Sequence, residues 1–118
     1  MKDQRAHSRL STQITATVEV QSAPDQDVLQ GTLLNCLTKD ISLTGMCLYN
    51  EVQLPVETKL LLTMELGTPR KSFNMLGKVI WSGIDNEGGN GYMIGVHLVQ
   101  LPGDIAAWQN AVLQTLVG

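Results

Sequence analysis

The sequence has few aromatic residues and no long apolar run. Phenylalanine, tryptophan and tyrosine make up 4% of the 118 residues, so aliphatic side chains and methionine must fill any core. No stretch approaches the roughly 18 consecutive apolar residues of a membrane-spanning helix. The charged N-terminus is not followed by the apolar segment of a signal peptide. We therefore expect a cytoplasmic protein without direct membrane insertion.

Cysteine and histidine are also scarce. The chain has two cysteines, Cys36 and Cys47, and two histidines, His7 and His97. No pair of these residues has zinc-finger spacing, so we predict no metal site. Buried free thiols are the simpler interpretation of the two cysteines, and a disulfide is the alternative.

Signatures of catalysis are missing as well. The sequence contains no Walker-type phosphate loop and no Gly-x-Ser-x-Gly nucleophile motif. The loop 23–27, "APDQD", offers too few oxygen ligands for calcium. We therefore predict that the chain is not an enzyme and carries no cofactor.

Positive charge is concentrated at the N-terminus. The net formal charge is −3, yet Lys2, Arg5 and Arg9 account for three of the eight basic residues. Because the rest of the chain is acidic, it lacks the broad basic face that a nucleic acid polymer requires. The basic end suits a small anion instead.

Hydrophobic periodicity predicts a mainly β fold with one helix. Apolar and polar residues alternate, or short apolar runs occur, in six segments separated by turn-forming residues. After Pro102 and Gly103 the apolar residues recur at three- and four-residue steps, which predicts a helix over 103–117 with Asp104 as N-cap. The predicted strands are 12–21, 28–39, 46–49, 59–66, 72–81 and 92–99.

Six short strands in one small domain leave edges that a closed barrel would remove. Gly77 and Gly95 lie within predicted strands, where glycine often marks a bend in a curled sheet. We predict a six-stranded antiparallel β-barrel with the helix across one open end. One face of the helix is expected to pack on the barrel, and its residues are Ile105, Trp108, Val112 and Leu116. The alternative is that part of this face forms a partner or dimer surface.

Two polar motifs could carry chemistry. The first is Arg5 and Arg9, whose forked guanidinium groups can bind phosphate or guanine through two hydrogen bonds and can stack on a base. The second is the segment 40–45, "DISLTG", between two predicted strands. Taken singly, each motif is better explained without a ligand, the first as a solvated tail and the second as an ordinary turn.

Within "DISLTG" the apolar residues are Ile41 and Leu43, so Asp40 and Ser42 are expected to point to the opposite side. A carboxylate and a hydroxyl there can bind the N1–H and N2–H₂ edge of guanine. Gly45 would allow a backbone conformation that Cβ would block and would let a planar ligand come close.

Together the motifs resemble the signature of the PilZ domain family, with Arg-x-x-x-Arg followed about thirty residues later by Asp-x-Ser-x-x-Gly. "GKVIW" at 77–81 and "GYMIGVHL" at 91–98 resemble the last two barrel strands of that family. The resemblance covers about 5–99. PilZ domains are small antiparallel β-barrels that bind the bacterial second messenger cyclic di-GMP.

The resemblance implies a role for five residues. Arg5 and Arg9 would hold the guanine faces and phosphates of the ligand from the N-terminal arm. Asp40 and Ser42 would contact a guanine edge, and Gly45 would shape the turn.

The resemblance also implies an organisation and partners. We expect a stand-alone bacterial adaptor with a flexible arm at 1–12 and the barrel at 13–118, as a monomer or weak dimer. Ligand binding would change its conformation and regulate an unidentified effector protein in motility, biofilm or exopolysaccharide output. Gln4 stands where relatives that bind a stacked ligand pair often have arginine, which favours one ligand per chain. The alternative is a ligand-independent PilZ-like domain that acts by protein contact alone.

Overall fold

Six antiparallel strands and one C-terminal helix form the protein. The computed structural model describes residues 14–84 and 91–117, without the side chains of 116 and 117. The prediction of a mainly β, six-stranded antiparallel barrel with a C-terminal helix is confirmed. The elements are β1 (Ile14–Ser22), β2 (Leu33–Ile41), β3 (Gly45–Asn50), β4 (Lys59–Leu66), β5 (Lys71–Ile84), β6 (Tyr92–Gln100) and helix α1 (Ile105–Val117).

The strands close into a barrel in the order β1-β2-β3-β6-β5-β4. Closure depends on β1, which pairs with β2 on one side and with β4 on the other. Val18 lies opposite Leu34 in the first pair and opposite Leu62 in the second. The closed sheet pairs both edges of each strand, which removes the exposed edges of an open sheet.

Alternate residues of each strand fill the barrel interior. Strand β4 shows this most clearly, because its apolar positions follow the period of two that a strand requires. Each of the four apolar side chains on its inward face is at most 3% exposed. These residues are Leu60, Leu62, Met64 and Leu66.

The second strand begins later than the sequence predicts. The prediction placed a strand over 28–39, but Asp27–Leu29 forms a short 3-10 helix and β2 starts at Leu33. Gly31, with φ +86°, turns the chain between them. Val28 and Leu33 are 87% and 68% exposed, so neither of these two side chains lines the core.

Strand β5 extends past its predicted end. The prediction ended it at Trp81, whereas the strand continues to Ile84, which pairs with Tyr92 of β6. The hairpin is therefore longer than expected. Residues 85–90, between the two strands, lie outside the described residues.

Helix α1 covers the barrel end at which β1 begins. The predicted N-cap is confirmed, since Asp104 Oδ1 accepts a hydrogen bond from the Ala107 N–H at 3.0 Å. The buried side chains of the helix are Trp108, Ala111 and Val112. The expectation for Ile105 was wrong, because it is 47% exposed at the first helical position, one turn before the buried stripe begins. The side chain of Leu116 lies outside the described residues.

Candidate functional site

The structure places the 40–45 segment at the barrel end that helix α1 covers. The segment connects β2 to β3, and Asp40, Ser42 and Gly45 lie together along it. Strand β1 begins at the same end, since Ile14 pairs with Thr38, two residues before Asp40. The N-terminal segment therefore joins the barrel beside this motif.

Arg5 and Arg9 lie outside the described residues. A role of either arginine beside Asp40 stays a prediction.

A β-bulge at Lys39 turns Asp40 to the outside of the barrel. Thr38 pairs with Leu48 while Asp40 pairs with Cys47, so Lys39 is an extra residue in β2. Side chains alternate along a strand, so an uninterrupted β2 would direct Thr38 and Asp40 to the same face. The bulge changes the alternation. Thr38 is 4% exposed, whereas Asp40 is exposed to solvent.

The hydroxyl hydrogen of Ser42 is engaged in a hydrogen bond within the turn that follows β2. Its N–H donates to the Gly45 carbonyl at 2.8 Å, and its Oγ–H donates to the same carbonyl at 3.1 Å. The exposed hydroxyl oxygen can then act only as an acceptor towards a ligand. Asp40 is likewise an acceptor as a carboxylate. The two residues, separated by buried Ile41, form an outward acceptor pair.

The predicted orientation of the motif is confirmed for three residues and wrong for one. Asp40 and Ser42 are exposed and Ile41 is buried, as expected from the apolar pattern. Leu43, expected on the side of Ile41, is 39% exposed. It lies in the turn, where the alternation of a strand no longer applies.

Gly45 allows β3 to pack closely against β6. A Cβ at Gly45 would lie 2.8 Å from the backbone oxygen of Val96, closer than real Cβ contacts. Gly45 does not adopt the left-handed conformation, so this close approach, and not an unusual φ, requires glycine. The Leu98 N–H donates to the Thr44 carbonyl at 2.8 Å and holds the turn against β6.

Helix α1 holds the same turn from the other side. The indole Nε1–H of Trp108 donates to the Leu43 carbonyl at 3.0 Å. Trp108 is fully buried, and its ring meets Phe73 edge-on at 5.3 Å between centroids. The turn that carries Ser42 is thus attached to the helix as well as to the sheet.

A row of outward positions continues from Asp40 across the barrel surface. Asp40 pairs with Cys47, Cys47 pairs with Gly95, and Gly95 pairs with Trp81. A Cβ at Gly95 would overlap the Trp81 indole, so that ring lies over the glycine, and 46% of Trp81 stays exposed. Trp81 was not predicted as a site residue. A glycine within one strand and a tryptophan in the neighbouring strand were the available signal.

Two further side chains flank the motif. The Lys39 ammonium lies 5.7 Å from the centroid of the Tyr49 ring, within the range of a cation–π contact. His97 is exposed on β6 and pairs with Gly45. Neither residue was predicted as a site residue, and the bulge that places Lys39 here has no clear sequence signal.

Cys36 and Cys47 differ in their surroundings. Cys36 is fully buried, and burial raises the pKa of its thiol from 9.0 to about 11, against a smaller lowering by a hydrogen bond with Asn50. Cys47 is only half-buried, so the prediction of a buried thiol holds for Cys36 alone. The two residues are not joined in a disulfide.

Residues 14–84 and 91–117 contain no group of three or more His, Cys, Asp or Glu side chains that could hold a metal ion. Within the same residues, no helix is both long and apolar enough to cross a membrane. His7, considered earlier as a possible metal ligand, lies outside the described residues.

Comparison with protein families gives a match to the PilZ domain over residues 3–114 of the 118-residue chain. The match includes all six strands, both polar motifs and most of helix α1. A search of curated proteins found no match. The closed barrel and the outward Asp-x-Ser-x-x-Gly segment agree with the family match. The chain belongs to the PilZ domain family, a family of cyclic di-GMP receptor domains.

Proposed function

We propose that this protein is a cyclic di-GMP receptor that changes conformation on binding and thereby regulates a partner protein. Family membership supplies the ligand class. The observation that carries the proposal to this chain is the outward acceptor pair of Asp40 and Ser42, beside the point where the N-terminal segment joins the barrel.

The acceptor pair favours guanine over adenine. The Watson–Crick edge of guanine presents two neighbouring donors, N1–H and N2–H₂. The corresponding edge of adenine presents one donor and one acceptor. Since Asp40 and Ser42 can only accept, adenine would place its N1 lone pair against theirs. An unpaired polar contact of this kind costs affinity, so the site should prefer cyclic di-GMP to cyclic di-AMP.

Other side chains would supply the remaining contacts. The half-exposed Trp81 indole offers a flat surface for a base, and base–aromatic stacking is worth about 1–3 kcal/mol. Arg5 and Arg9 would bind the phosphates through paired hydrogen bonds. Lys39, beside the motif, adds positive charge for a ligand with two phosphates.

The connectivity suggests how binding could act as a switch. Arginines that bind the ligand would draw the N-terminal segment towards the β2–β3 turn. Holding this segment in one conformation costs entropy, which the ligand contacts offset. Ligand therefore shifts the population towards a closed form. The closed segment and the ligand together would form the surface that an effector protein binds.

Isothermal titration calorimetry with cyclic di-GMP tests the proposal, with cyclic di-AMP and GTP as controls. We expect selective binding of cyclic di-GMP with one ligand per chain, because Gln4 lacks the charge that would attract a second. If cyclic di-AMP binds as tightly as cyclic di-GMP, Asp40 and Ser42 do not recognise the guanine edge. Absence of both heat and thermal stabilisation would leave ligand-independent protein contact as the function.

The arginines are tested by Arg5→Ala and Arg9→Ala. Each should greatly weaken or abolish binding of cyclic di-GMP while the far-ultraviolet circular dichroism of the barrel stays unchanged. Lys2→Ala is the matched control, since it removes the same charge from the same segment. If Lys2→Ala weakens binding as much as either arginine variant, the arginines contribute only through net charge.

A further inference from the structure

One buried hydrogen bond joins helix α1 to the turn of the proposed ligand site. Trp108 Nε1–H donates to the Leu43 carbonyl at 3.0 Å, across 65 positions of sequence. The indole is fully buried. Leu43 is the residue after Ser42, so the bond acts immediately beside a proposed ligand contact.

The helix has other contacts besides this bond. At its N-terminus, Asp104 caps the first turn and forms an ion pair with Lys71 at 3.0 Å. Further along, the Gln114 side-chain oxygen accepts a hydrogen bond from the Thr68 N–H at 2.9 Å. Phe73 contacts the Trp108 ring edge-on and constrains its orientation. The ring that presents the indole N–H to the turn is therefore buried and packed against Phe73.

The turn is held by hydrogen bonds to three of its backbone carbonyl groups. Three successive carbonyl groups in it each accept a hydrogen bond, and only one of those bonds comes from outside the sheet and the turn. That one is the bond from the helix. The donors are Trp108 Nε1–H to Leu43, Leu98 N–H to Thr44, and Ser42 N–H to Gly45.

We infer that Trp108 is a positioning residue for the ligand site, an inference that rests on the proposed function. Without its N–H, the partly buried Leu43 carbonyl would lose its donor, and the turn would rotate to hydrate it. Rotation at Leu43 moves the neighbouring Ser42 acceptor away from Asp40. Binding geometry must be held within about 0.5 Å by such supporting contacts, so affinity falls.

The coupling must be mutual. If the Trp108 bond favours ligand binding, the bound ligand favours the Trp108 bond by the same factor. Hydrogen exchange of the indole Nε1–H should therefore slow when cyclic di-GMP saturates the site. The chain has two tryptophans, so the Trp81→Phe variant assigns the remaining indole signal to Trp108.

The test compares Trp108→Phe with Val112→Ala. The first keeps an aromatic ring but removes the N–H donor. The second loosens the packing of the same buried helix face but leaves that donor in place. We expect Trp108→Phe to weaken cyclic di-GMP binding about tenfold, and Val112→Ala to weaken it less than about twofold, measured well below the unfolding midpoint of each variant. Equal losses in both variants would overturn the positioning role.

A second measurement needs no ligand. In Trp108→Phe the amide hydrogens of Ser42 and Leu98 should exchange faster than in the parent, and in Val112→Ala they should not. Unchanged exchange in Trp108→Phe would overturn the inference even if the parent binds cyclic di-GMP. If the parent does not bind cyclic di-GMP, the proposed function is overturned. Faster amide exchange in Trp108→Phe would in that case still show that Trp108 positions the turn.

Discussion

Asp40 combines exposure with a fixed direction, so its contribution can be separated from the stability of the fold. We predict that Asp40→Ala leaves the unfolding midpoint unchanged and weakens cyclic di-GMP binding. A hydrogen bond to a charged group contributes about 1.5–3 kcal/mol, so the loss should lie between about tenfold and a hundredfold. Calorimetric titration gives the affinity, and thermal unfolding checks the fold.

Asp27→Ala is the matched control for that experiment. Asp27 is also exposed, and it lies in the 3-10 helix at the opposite barrel end from Asp40. Its replacement changes the net charge equally, so it should leave the affinity unchanged. If both variants lose affinity to the same extent, Asp40 acts through long-range charge and does not contact the base.

Replacement of Gly45 should lower the stability of the fold, and any effect on ligand binding should be secondary. In Gly45→Ala the new Cβ would meet the Val96 backbone oxygen at 2.8 Å, so β3 and β6 must move apart. Such overpacking typically costs about 1–3 kcal/mol in free energy of unfolding. Urea unfolding of Gly45→Ala should therefore show a lower midpoint than the parent.

Gly83→Ala serves as the comparison for Gly45→Ala. No atom lies within 4 Å of the position a Cβ would take at Gly83, and its φ is not in the left-handed region. Its unfolding midpoint should match or slightly exceed that of the parent, because alanine restricts the unfolded chain. A similar loss at both positions would show that the close approach to Val96 is not the cause.

At the scale of single residues, part of the site could be predicted from the sequence. The outward direction of Asp40 and Ser42 followed from the apolar character of Ile41. The exposure of Leu43 did not follow, because the periodicity of a strand ends where the turn begins. The placement of Trp81 over Gly95 depends on which strands pair, and local sequence does not contain that information.

Among the elements, strand β2 contains a β-bulge that determines the direction of the Asp40 side chain. Without the bulge at Lys39, the alternation that buries Cys36 and Thr38 would also bury Asp40. The outward direction of Asp40 was predicted correctly because the alternation was counted from Ile41 and not from Thr38. Periodicity predicted that β2 exists, but its start and its bulge depend on pairing with β1 and β3.

Helix α1 should respond to acid through its N-cap. The Ala107 N–H, and then Lys71, lower the pKa of Asp104 below its ordinary value of 3.8. A lowered pKa in the folded state means that folding favours the ionised carboxylate. The stabilisation is therefore complete above the ordinary pKa and is lost as the pH falls from about 3.8 through the lower folded value.

Asp104→Asn isolates this effect, because asparagine keeps an N-cap acceptor but has no charge to lose. At neutral pH the parent should unfold at a higher temperature than Asp104→Asn. Below pH 3.8 the difference should shrink, and thermal unfolding followed by circular dichroism measures it. A difference that is independent of pH would show that the ionisation of Asp104 does not contribute to stability.

For the whole molecule, closure of the barrel links segments that are far apart in sequence. Strand β1 pairs with β4, and β3 pairs with β6, so no strand can leave without breaking two ladders. Periodicity predicted six strands, and the need to remove exposed strand edges predicted that they close. Neither predicted the register, which determines that Asp40, Cys47, Gly95 and Trp81 share one row.

The closed interior also predicts how stability changes at alkaline pH. Burial raises the pKa of Cys36 from 9.0 to about 11, so between these values the unfolded chain has released a proton that the folded chain still holds. Folding stability therefore falls as the pH rises above 9.0. One pKa unit corresponds to about 1.4 kcal/mol, so the loss near pH 10 should be on the order of 1 kcal/mol.

Other groups also titrate in this range, so the measurement is a comparison of variants. Cys36→Ala removes the buried thiol, and its unfolding free energy should decline less than that of the parent between about pH 8 and pH 10. Cys47→Ala keeps Cys36 and should decline as the parent does. If Cys36→Ala and the parent decline in parallel, the interior of the barrel admits enough water for the thiolate of Cys36 to form without unfolding.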